Sequence, residues 1–145
     1  MSIPEWNHTT LFRPGHSAAA FLEVDDWEIL HQSLGRLRVR AHLPEAVLNP
    51  RRQLFGGFTG TYVDLVALAA LHSGTEGPRE WTVTSNMRID YLAPVLGPTF
   101  VVEGEVTARV GRTRAVDVRF TDEAGEPTVL AHVLLRAIAE PTIAD

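Results

Sequence analysis

The alternation of apolar and polar residues predicts one long helix among several strands. In Gly35–Leu43 apolar residues take every second position and Arg or His fills the others, which indicates a half-buried strand. From Phe55 to Ser73 apolar residues occur on all sides for about five turns, which predicts a helix buried nearly all round. Before these elements, we expect a short helix capped by Ser17 and a strand over Trp27–His31.

The second half of the chain predicts four further strands. Strict alternation in the first of them, Trp81–Leu92, groups Val83 with the apolar face and places Thr84 on the polar face. In the next, Thr99–Val110, alternation puts Val110 on the same apolar face as Phe100. Short turns join the last three strands, so these should form an antiparallel meander. Their predicted segments are TFVVEGEVTARV, AVDVRF and TVLAHVLLRAIA.

One helix with mainly antiparallel strands predicts an α+β fold, in which the helix packs against a curled sheet. A length of 145 residues suits a single domain over residues 1–145. Residues 1–16 contain two prolines and a glycine without periodicity, and we expect an irregular N-terminal arm there.

Composition excludes several classes of protein. The chain has no cysteine, which excludes disulfides and cysteine-based sites, and its six histidines show no metal-ligand spacing, so no metal site is expected. A net charge of −5 argues against nucleic acid as a partner. No apolar run reaches transmembrane length and no signal-peptide pattern is present, so we expect a cytoplasmic protein without a membrane partner.

The candidate chemistry centres on Asp64, an acid within the apolar helix. Burying an unpaired carboxylate is unfavourable, so the side chain needs a partner or a cavity. Gly57, Gly60 and Thr61 lie on its side of the helix and leave a slot beside it. Asp64 is therefore either a reactive acid beside this slot or a structural acid bonded to an amide or an arginine.

The order and spacing of several motifs extend this interpretation. Asn49 is followed by five residues, then Phe55-Gly56-Gly57, with Asp64 seven residues after Gly57 and an R-I-D-Y-L-A-P strand later. From about residue 35 to residue 138 the chain resembles hotdog-fold acyl-CoA thioesterases of the phenylacetate-degradation type. It departs from that family at Phe55, where a histidine is usual.

The resemblance implies roles for individual residues. Asp64 would attack the thioester carbonyl or act as a general base on water, and the two alternatives stay open. The amide of Gly56 or Gly57, at the first turn of the helix, would stabilise the oxyanion, although the glycines also suit a tight turn. Asn49 and Thr84 would position the water or the acid; otherwise Asn49 is a turn residue and Thr84 a solvent-facing one.

The resemblance also implies an assembly and a substrate. It implies homodimers or homotetramers whose active sites take Asn49 and Gly56 from one chain and Asp64 and Thr84 from the other. The substrate would be an acyl-CoA, and no metal or redox cofactor is needed. Residues expected to contact it are Phe55 and Phe58 at the acyl group, and Arg109, Arg112 and Arg114 at the phosphates, with Arg51 and Arg52 as further candidates.

Three alternatives to thioester hydrolysis remain. The chain could be a non-catalytic acyl-CoA-binding protein, which the residue at position 55 favours, or an esterase acting on oxygen esters. It could also be a hydratase or dehydratase of the same fold, although the sequence places no histidine close to Asp64. His72, near the helix end, is interpreted as a cation that favours the helix dipole, without a catalytic role.

Overall fold

The computed structural model describes Phe12 and residues 16–141, so most of the expected N-terminal arm lies outside the described residues. One long helix and six strands form the body of the fold, and their order follows the prediction. Two 3-10 turns, Val24–Asp26 and Glu45–Val47, connect them. The elements are α1 Ser17–Phe21, β1 Glu28–Ser33, β2 Arg36–His42, α2 Gly56–His72, β3 Trp81–Tyr91, β4 Thr99–Val110, β5 Thr113–Thr121 and β6 Pro127–Ile138.

The six strands form one open antiparallel sheet in the order β1-β2-β4-β5-β6-β3. The predicted meander β4-β5-β6 is confirmed, and Gly111 with Arg112 forms the two-residue turn between its first two strands. Helix α2 packs across the sheet and contacts β4 and β5 most closely. The strand after α2 in sequence, β3, lies at the far edge of the sheet. Its only strand partner among the described residues is β6.

Nine of the 17 residues of α2 are buried, whereas the face that includes Gly60, Asp64 and Leu68 is only half-buried, so the predicted burial nearly all round holds only in part. Tyr62 is fully buried, stacks on Trp27 and donates a hydrogen bond of 2.7 Å to the carbonyl oxygen of His42. Gly104 on β4 allows the helix to approach the sheet, since a Cβ there would lie 2.9 Å from the Cβ of Ala70. These contacts fix the height of α2 above the sheet.

A β-bulge in β3 overturns one prediction of strict alternation. Thr84 pairs with Leu135 and Asn86 pairs with Leu134, so Ser85 is one extra residue on β3. Because of this extra residue, the residues before it on β3 face the side of the sheet opposite to the one that strict alternation predicts. Thr84 therefore faces α2, whereas Val83 is 45% exposed. Placing Thr84 on the face away from the helix was wrong, because a pattern of period two cannot register an inserted residue.

A second bulge has the same effect on β4. The register shifts between Val106 and Ala108, which makes Thr107 the extra residue. Beyond it Val110 is 71% exposed, so the expectation that it shares the buried face of Phe100 was wrong. The predicted cap of α1 also differs: the imidazole of His16, and not Ser17, accepts the hydrogen bond from the amide of Ala19.

Candidate active site

Asp64 and Thr84 meet between α2 and β3. The Thr84 hydroxyl donates a hydrogen bond of 2.6 Å to Oδ1 of Asp64. Asp64 is half-buried, so its carboxylate remains accessible. Thr84 is its one hydrogen-bond partner among the described residues. The β3 bulge aims Thr84 at the helix, and the two residues are 20 positions apart in sequence.

The carboxylate lies at a cavity of about 450 Å³ rather than in sealed packing. Gly57, Gly60 and Thr61 line one side of it, which is the slot that the sequence predicts. Most of the other residues that line the cavity are apolar. The other lining residues are His16, Ala18, Leu65, Leu68, Thr82, Thr84, Met87 and Leu135. An acid, a hydroxyl and an apolar wall at one cavity suit the hydrolysis of an ester of an apolar acid.

The N-terminus of α2 leaves backbone donors free next to this cavity. Phe55 is the N-cap residue and its side chain makes no capping hydrogen bond. Within the described residues the amides of Gly56 and Gly57 have no acceptor, and both glycines are exposed. Gly57 lines the Asp64 cavity, whereas Gly56 does not; the Gly56 carbonyl accepts a hydrogen bond of 2.8 Å from Tyr91.

Asn49 holds the loop that precedes α2. Its side-chain oxygen accepts hydrogen bonds from the backbone amides of Arg51, at 2.9 Å, and Gln53, at 3.0 Å. This is the turn role open to an Asn before Pro50. Asn49 does not line the cavity that its own chain forms around Asp64.

The aromatic residues predicted to contact the acyl group form an exposed cluster beside the helix N-terminus. The Phe55 ring is 54% exposed and lies edge-on to Phe58, with 6.0 Å between ring centroids. Phe58 in turn lies 5.8 Å from the Phe21 ring. Neither Phe55 nor Phe58 lines the Asp64 cavity in its own chain.

The three arginines predicted to bind phosphates differ in what they contact. Arg114 donates to both carboxylate oxygens of Glu80, at 3.1 and 2.7 Å, and its hydrogen bonds lower the pKa of Glu80. Arg109 donates to the Leu71 carbonyl oxygen at 3.0 Å. The guanidinium of Arg112 has no partner within the described part of the chain, and it lies exposed on the hairpin turn.

A second, smaller cavity adjoins the first near the end of α2. It has a volume of about 160 Å³ and shares His16, Leu68 and Thr82 with the first cavity. His72 lines it, with Nδ1 of the ring 3.0 Å from the Leu68 carbonyl oxygen. Burial, reinforced by the charge of Arg79, lowers the pKa of His72 to about 4. The interpretation of His72 as a cation at the helix end was therefore wrong.

Sequence reasoning missed three residues of this region. His16, Thr82 and His72 were not among the predicted site residues, although all three line one or both cavities. Thr82 was hidden by the bulge that also reversed Thr84. His72 had a signal, because it lies eight residues after Asp64 and an α-helix brings such positions to one face.

Apart from this site, one group of potential metal ligands is found in the described residues. Glu23, Asp26 and His42 have ligand atoms within 4.8 Å of one another. Both acids are exposed, and Glu23 lies 4.0 Å from Nδ1 of His42. Such groups are common on protein surfaces, and none of the three lines either cavity.

Comparison with protein families places this geometry in a known class. The model of the thioesterase superfamily matches residues 53–129, the part that includes α2, β3 and the Asp64–Thr84 pair. The chain therefore belongs to the thioesterase superfamily. Among curated proteins no similar sequence was found. No helix in the described residues combines the length and apolar character needed to cross a bilayer.

Solved structures confirm the hotdog fold. The Escherichia coli PaaI protein from the phenylacetic acid degradation operon superposes with a TM-score of 0.73 at 19% identity, covering 86% of each chain. The BH2602 protein of Bacillus halodurans, solved with CoA, gives 0.73 at 19% identity, covering 90% of this chain and 83% of that one. A hypothetical thioesterase of Streptococcus pneumoniae, solved with coenzyme A, gives 0.69 at 20% identity over 81% and 93% of the two chains.

Proposed function

We propose that the protein hydrolyses acyl-CoA thioesters with Asp64 as its reactive carboxylate. The observation that carries the proposal is the contact of 2.6 Å between Thr84 and Asp64 at a cavity that reaches the start of α2. Superfamily membership and the CoA found in two similar structures support the choice of substrate.

The chemistry follows from the free oxygen of Asp64. Thr84 occupies Oδ1, so Oδ2 is available either to take a proton from water or to attack the carbonyl carbon itself. In the first route the water oxygen bonds to the carbonyl carbon while Asp64 receives the proton. The C–S bond of the tetrahedral intermediate then breaks, and the CoA thiolate leaves and takes up a proton. In the second route Oδ2 bonds to the carbonyl carbon and the C–S bond breaks, which releases the CoA thiolate and leaves a mixed anhydride; water then hydrolyses the anhydride to the free acid and Asp64. Both routes create negative charge on the carbonyl oxygen.

Backbone amides at the start of α2 are suited to stabilise that charge. The amides of Gly56 and Gly57 have no acceptor within the described residues and lie at the positive end of the helix dipole. Gly57 belongs to the same cavity as Asp64, whereas Gly56 does not line it, and we assign Gly56 to the site of a second chain. A homodimer that brings Gly56 and Asn49 of one chain to Asp64 and Thr84 of the other satisfies both features.

Binding of CoA requires a local basic surface on an acidic protein. Arg112 is the best placed of the three predicted arginines, because Arg109 and Arg114 already hold internal partners. Arg51 is exposed beside the loop before α2 and is the second candidate. We therefore propose that Arg112 and Arg51 contact the phosphates of CoA first. Arg109 and Arg114 can contact them only after leaving their internal partners.

Thiol release from a series of aliphatic and aromatic acyl-CoAs tests the proposal. Asp64→Asn should lower kcat by roughly 100- to 10,000-fold, the usual contribution of a positioned acid or base. Asp25→Asn provides the matched control, since Asp25 is an exposed acid in the 3-10 turn before β1 and does not line the Asp64 cavity. Unchanged turnover in Asp64→Asn, with the fold verified by circular dichroism, would rule out the role.

One observation favours a second candidate function, a hydratase or dehydratase. His16 lines the Asp64 cavity, so the structure supplies the histidine that the sequence did not place near the acid. Incubation with an enoyl-CoA separates the functions: loss of the conjugated double bond without thiol release indicates a hydratase. Binding of acyl-CoA with neither reaction indicates the non-catalytic binding protein.

A further inference from the structure

The small cavity beside α2 contains two buried polar atoms that lack partners. Nε2 of His72 and Oγ1 of Thr82 are buried, and neither has a hydrogen-bond partner within the described residues. Both side chains line the cavity of about 160 Å³. Buried polar atoms are nearly always hydrogen-bonded in folded proteins, so this pair marks a place where a ligand group fits.

The hydrogen bond at the other ring nitrogen fixes the tautomer of His72. A carbonyl oxygen can only accept, so Nδ1 must carry the proton that bonds the Leu68 carbonyl oxygen. In the neutral ring Nε2 is then a lone-pair acceptor and requires a donor from the ligand. The Thr82 hydroxyl either donates or accepts. A hydroxyl group satisfies both atoms, because it donates to Nε2 and accepts from Thr82.

The charged residues of the cavity do not change this choice. Two charged residues line the cavity, Arg79 and Glu80. Both oxygens of Glu80 accept hydrogen bonds from Arg114, and Arg79 already interacts with other groups of the chain, while its positive charge helps to keep the His72 ring neutral. A carboxylate at the end of the ligand has no proton to donate to Nε2 of His72 at neutral pH. An alkyl end would leave both buried polar atoms unpaired, so it gains nothing from them on binding.

The position of the cavity relates it to the reactive acid. Asp64, Leu68 and His72 follow one another at intervals of four residues on one face of α2. At a rise of 1.5 Å per residue, Asp64 and His72 are about 12 Å apart along the helix axis. Three shared lining residues show that the two cavities adjoin. An acyl chain with its carbonyl at Asp64 that follows the two cavities along α2 would reach His72 with its far end.

We propose that His72 and Thr82 recognise a hydroxyl group at the far end of the acyl chain and so determine substrate specificity. This inference rests on the proposed function, since the acyl carbonyl is placed at Asp64. The substrate class is an acyl-CoA whose terminal hydroxyl lies roughly 12 Å from the carbonyl, the span from Asp64 to His72 along α2. ω-Hydroxydecanoyl-CoA has about this length, and decanoyl-CoA is the matched ligand without the hydroxyl.

Binding of non-hydrolysable thioether analogues of these two ligands, measured by calorimetry, tests the inference without any turnover. The wild-type protein should bind the hydroxyl analogue at least about tenfold more tightly, since a site built to bond a hydroxyl rejects the ligand that lacks it. Thr82→Val keeps the shape of the side chain, and His72→Phe keeps an aromatic ring. Each variant should bring the ratio of the two affinities close to one.

The outcomes separate this inference from the hydrolase proposal. Equal affinities in the wild type, or a preference that persists in both variants, overturns the inference even if thioesters are hydrolysed. A hydroxyl preference that both variants abolish supports the inference even if no thiol is released. Because His72→Phe also removes the bond to the Leu68 carbonyl, Thr82→Val decides the result if the first variant fails to fold.

Discussion

At the scale of single residues, the proposed hydrolysis requires that Thr84 orients Asp64. A hydroxyl bonded to Oδ1 restrains the plane of the carboxylate and leaves Oδ2 without a partner within the described residues. We expect Thr84→Val to lower kcat by about 10- to 100-fold with little change in KM, because the hydrogen bond acts on the acid and not on the ligand. Steady-state thiol-release kinetics measure both constants.

Thr84→Ser is the control for this prediction. It retains the hydroxyl and removes only a methyl group, so it should recover most of the activity that Thr84→Val loses. A serine variant as slow as the valine variant would show that Thr84 acts through packing instead of through its bond to Asp64.

The neutral state of His72 predicts a dependence of stability on pH. Its pKa falls from 6.5 in the unfolded chain to about 4 in the folded protein, so the unfolded chain binds the proton first as the pH falls. The stability that the neutral imidazole of His72 contributes is therefore fully present above pH 6.5 and is lost as the pH falls from 6.5 to 4. After allowance for partial contact with water, we expect a loss of about 2 kcal/mol in the free energy of unfolding.

Urea denaturation of the wild type and of His72→Phe at several pH values measures this loss. The carboxylates titrate in both proteins, so the difference between the two curves isolates the imidazole. The wild type should lose more stability than the variant between pH 7 and pH 4.5. Parallel curves would mean that His72 titrates alike in the folded and unfolded states.

Only part of the site could be predicted residue by residue. Asp64 stands out because it is an acid in an apolar helix, and the small residues before it correctly predicted a slot. Thr84 was found by its spacing from the Y-L-A-P segment, while alternation placed it on the wrong face. The spacing of His72 from Asp64 was a usable signal, but Thr82 meets His72 at their cavity only through the packing of β3 on α2, which leaves no local pattern in the sequence.

At the scale of elements, the prediction succeeded where the spacing of apolar residues in the sequence matches the burial seen in the structure. Strand β2 alternates without a bulge and α2 is apolar on all sides, so both elements were found with nearly the observed bounds. Strands β3 and β4 each contain one extra residue, and their faces were misassigned before it in β3 and after it in β4. This error affected the prediction of the site, because the β3 bulge aims Thr84 at Asp64.

The packing of α2 on the sheet depends on Gly104. A Cβ at this position would lie 2.9 Å from the Cβ of Ala70 and 3.2 Å from the backbone oxygen of Val66, so the helix itself would have to shift. We expect Gly104→Ala to destabilise the protein by about 1–3 kcal/mol through overpacking. Chemical denaturation measures this loss, with Glu105→Ala on the same strand as an exposed control that should stay within about 0.5 kcal/mol.

At the scale of the whole molecule, two features of the single chain lack a complement. Strand β3 has 11 residues and pairs with β6 alone among the described strands, and Val83, Tyr91 and Leu92 are exposed along or just beyond it. The amides at the start of α2 also lack acceptors within the described residues. Long, uncovered edge strands pair readily with another chain. A dimer joined at β3 would cover this edge.

Substitution on this edge tests the assembly. Val83 is exposed and points away from α2, so Val83→Lys leaves the core intact and places a charge where edge strands resist pairing. We expect the variant to sediment as a smaller species than the wild type and to lose thioesterase activity in parallel. A monomer with full activity would show that each chain contains a complete site.

Subunit mixing then decides whether one site takes residues from two chains. Gly56→Pro removes the amide donor at a helix position where proline is tolerated, and Gly56→Ala keeps the donor, because its Cβ would make only an ordinary contact of 3.6 Å with Tyr91. We expect Gly56→Pro to lower kcat by roughly 100- to 1,000-fold and Gly56→Ala to stay near the wild type.

The informative sample is Gly56→Pro refolded together with Asp64→Asn, two variants that are each inactive alone. In a mixed dimer with shared sites, one site collects both substitutions and the other collects neither. Random pairing of equal amounts therefore restores about a quarter of the wild-type activity, since half of the dimers are mixed and each has one intact site. If Gly56 and Asp64 serve the same site within one chain, every site in the mixture lacks one of them and no activity returns.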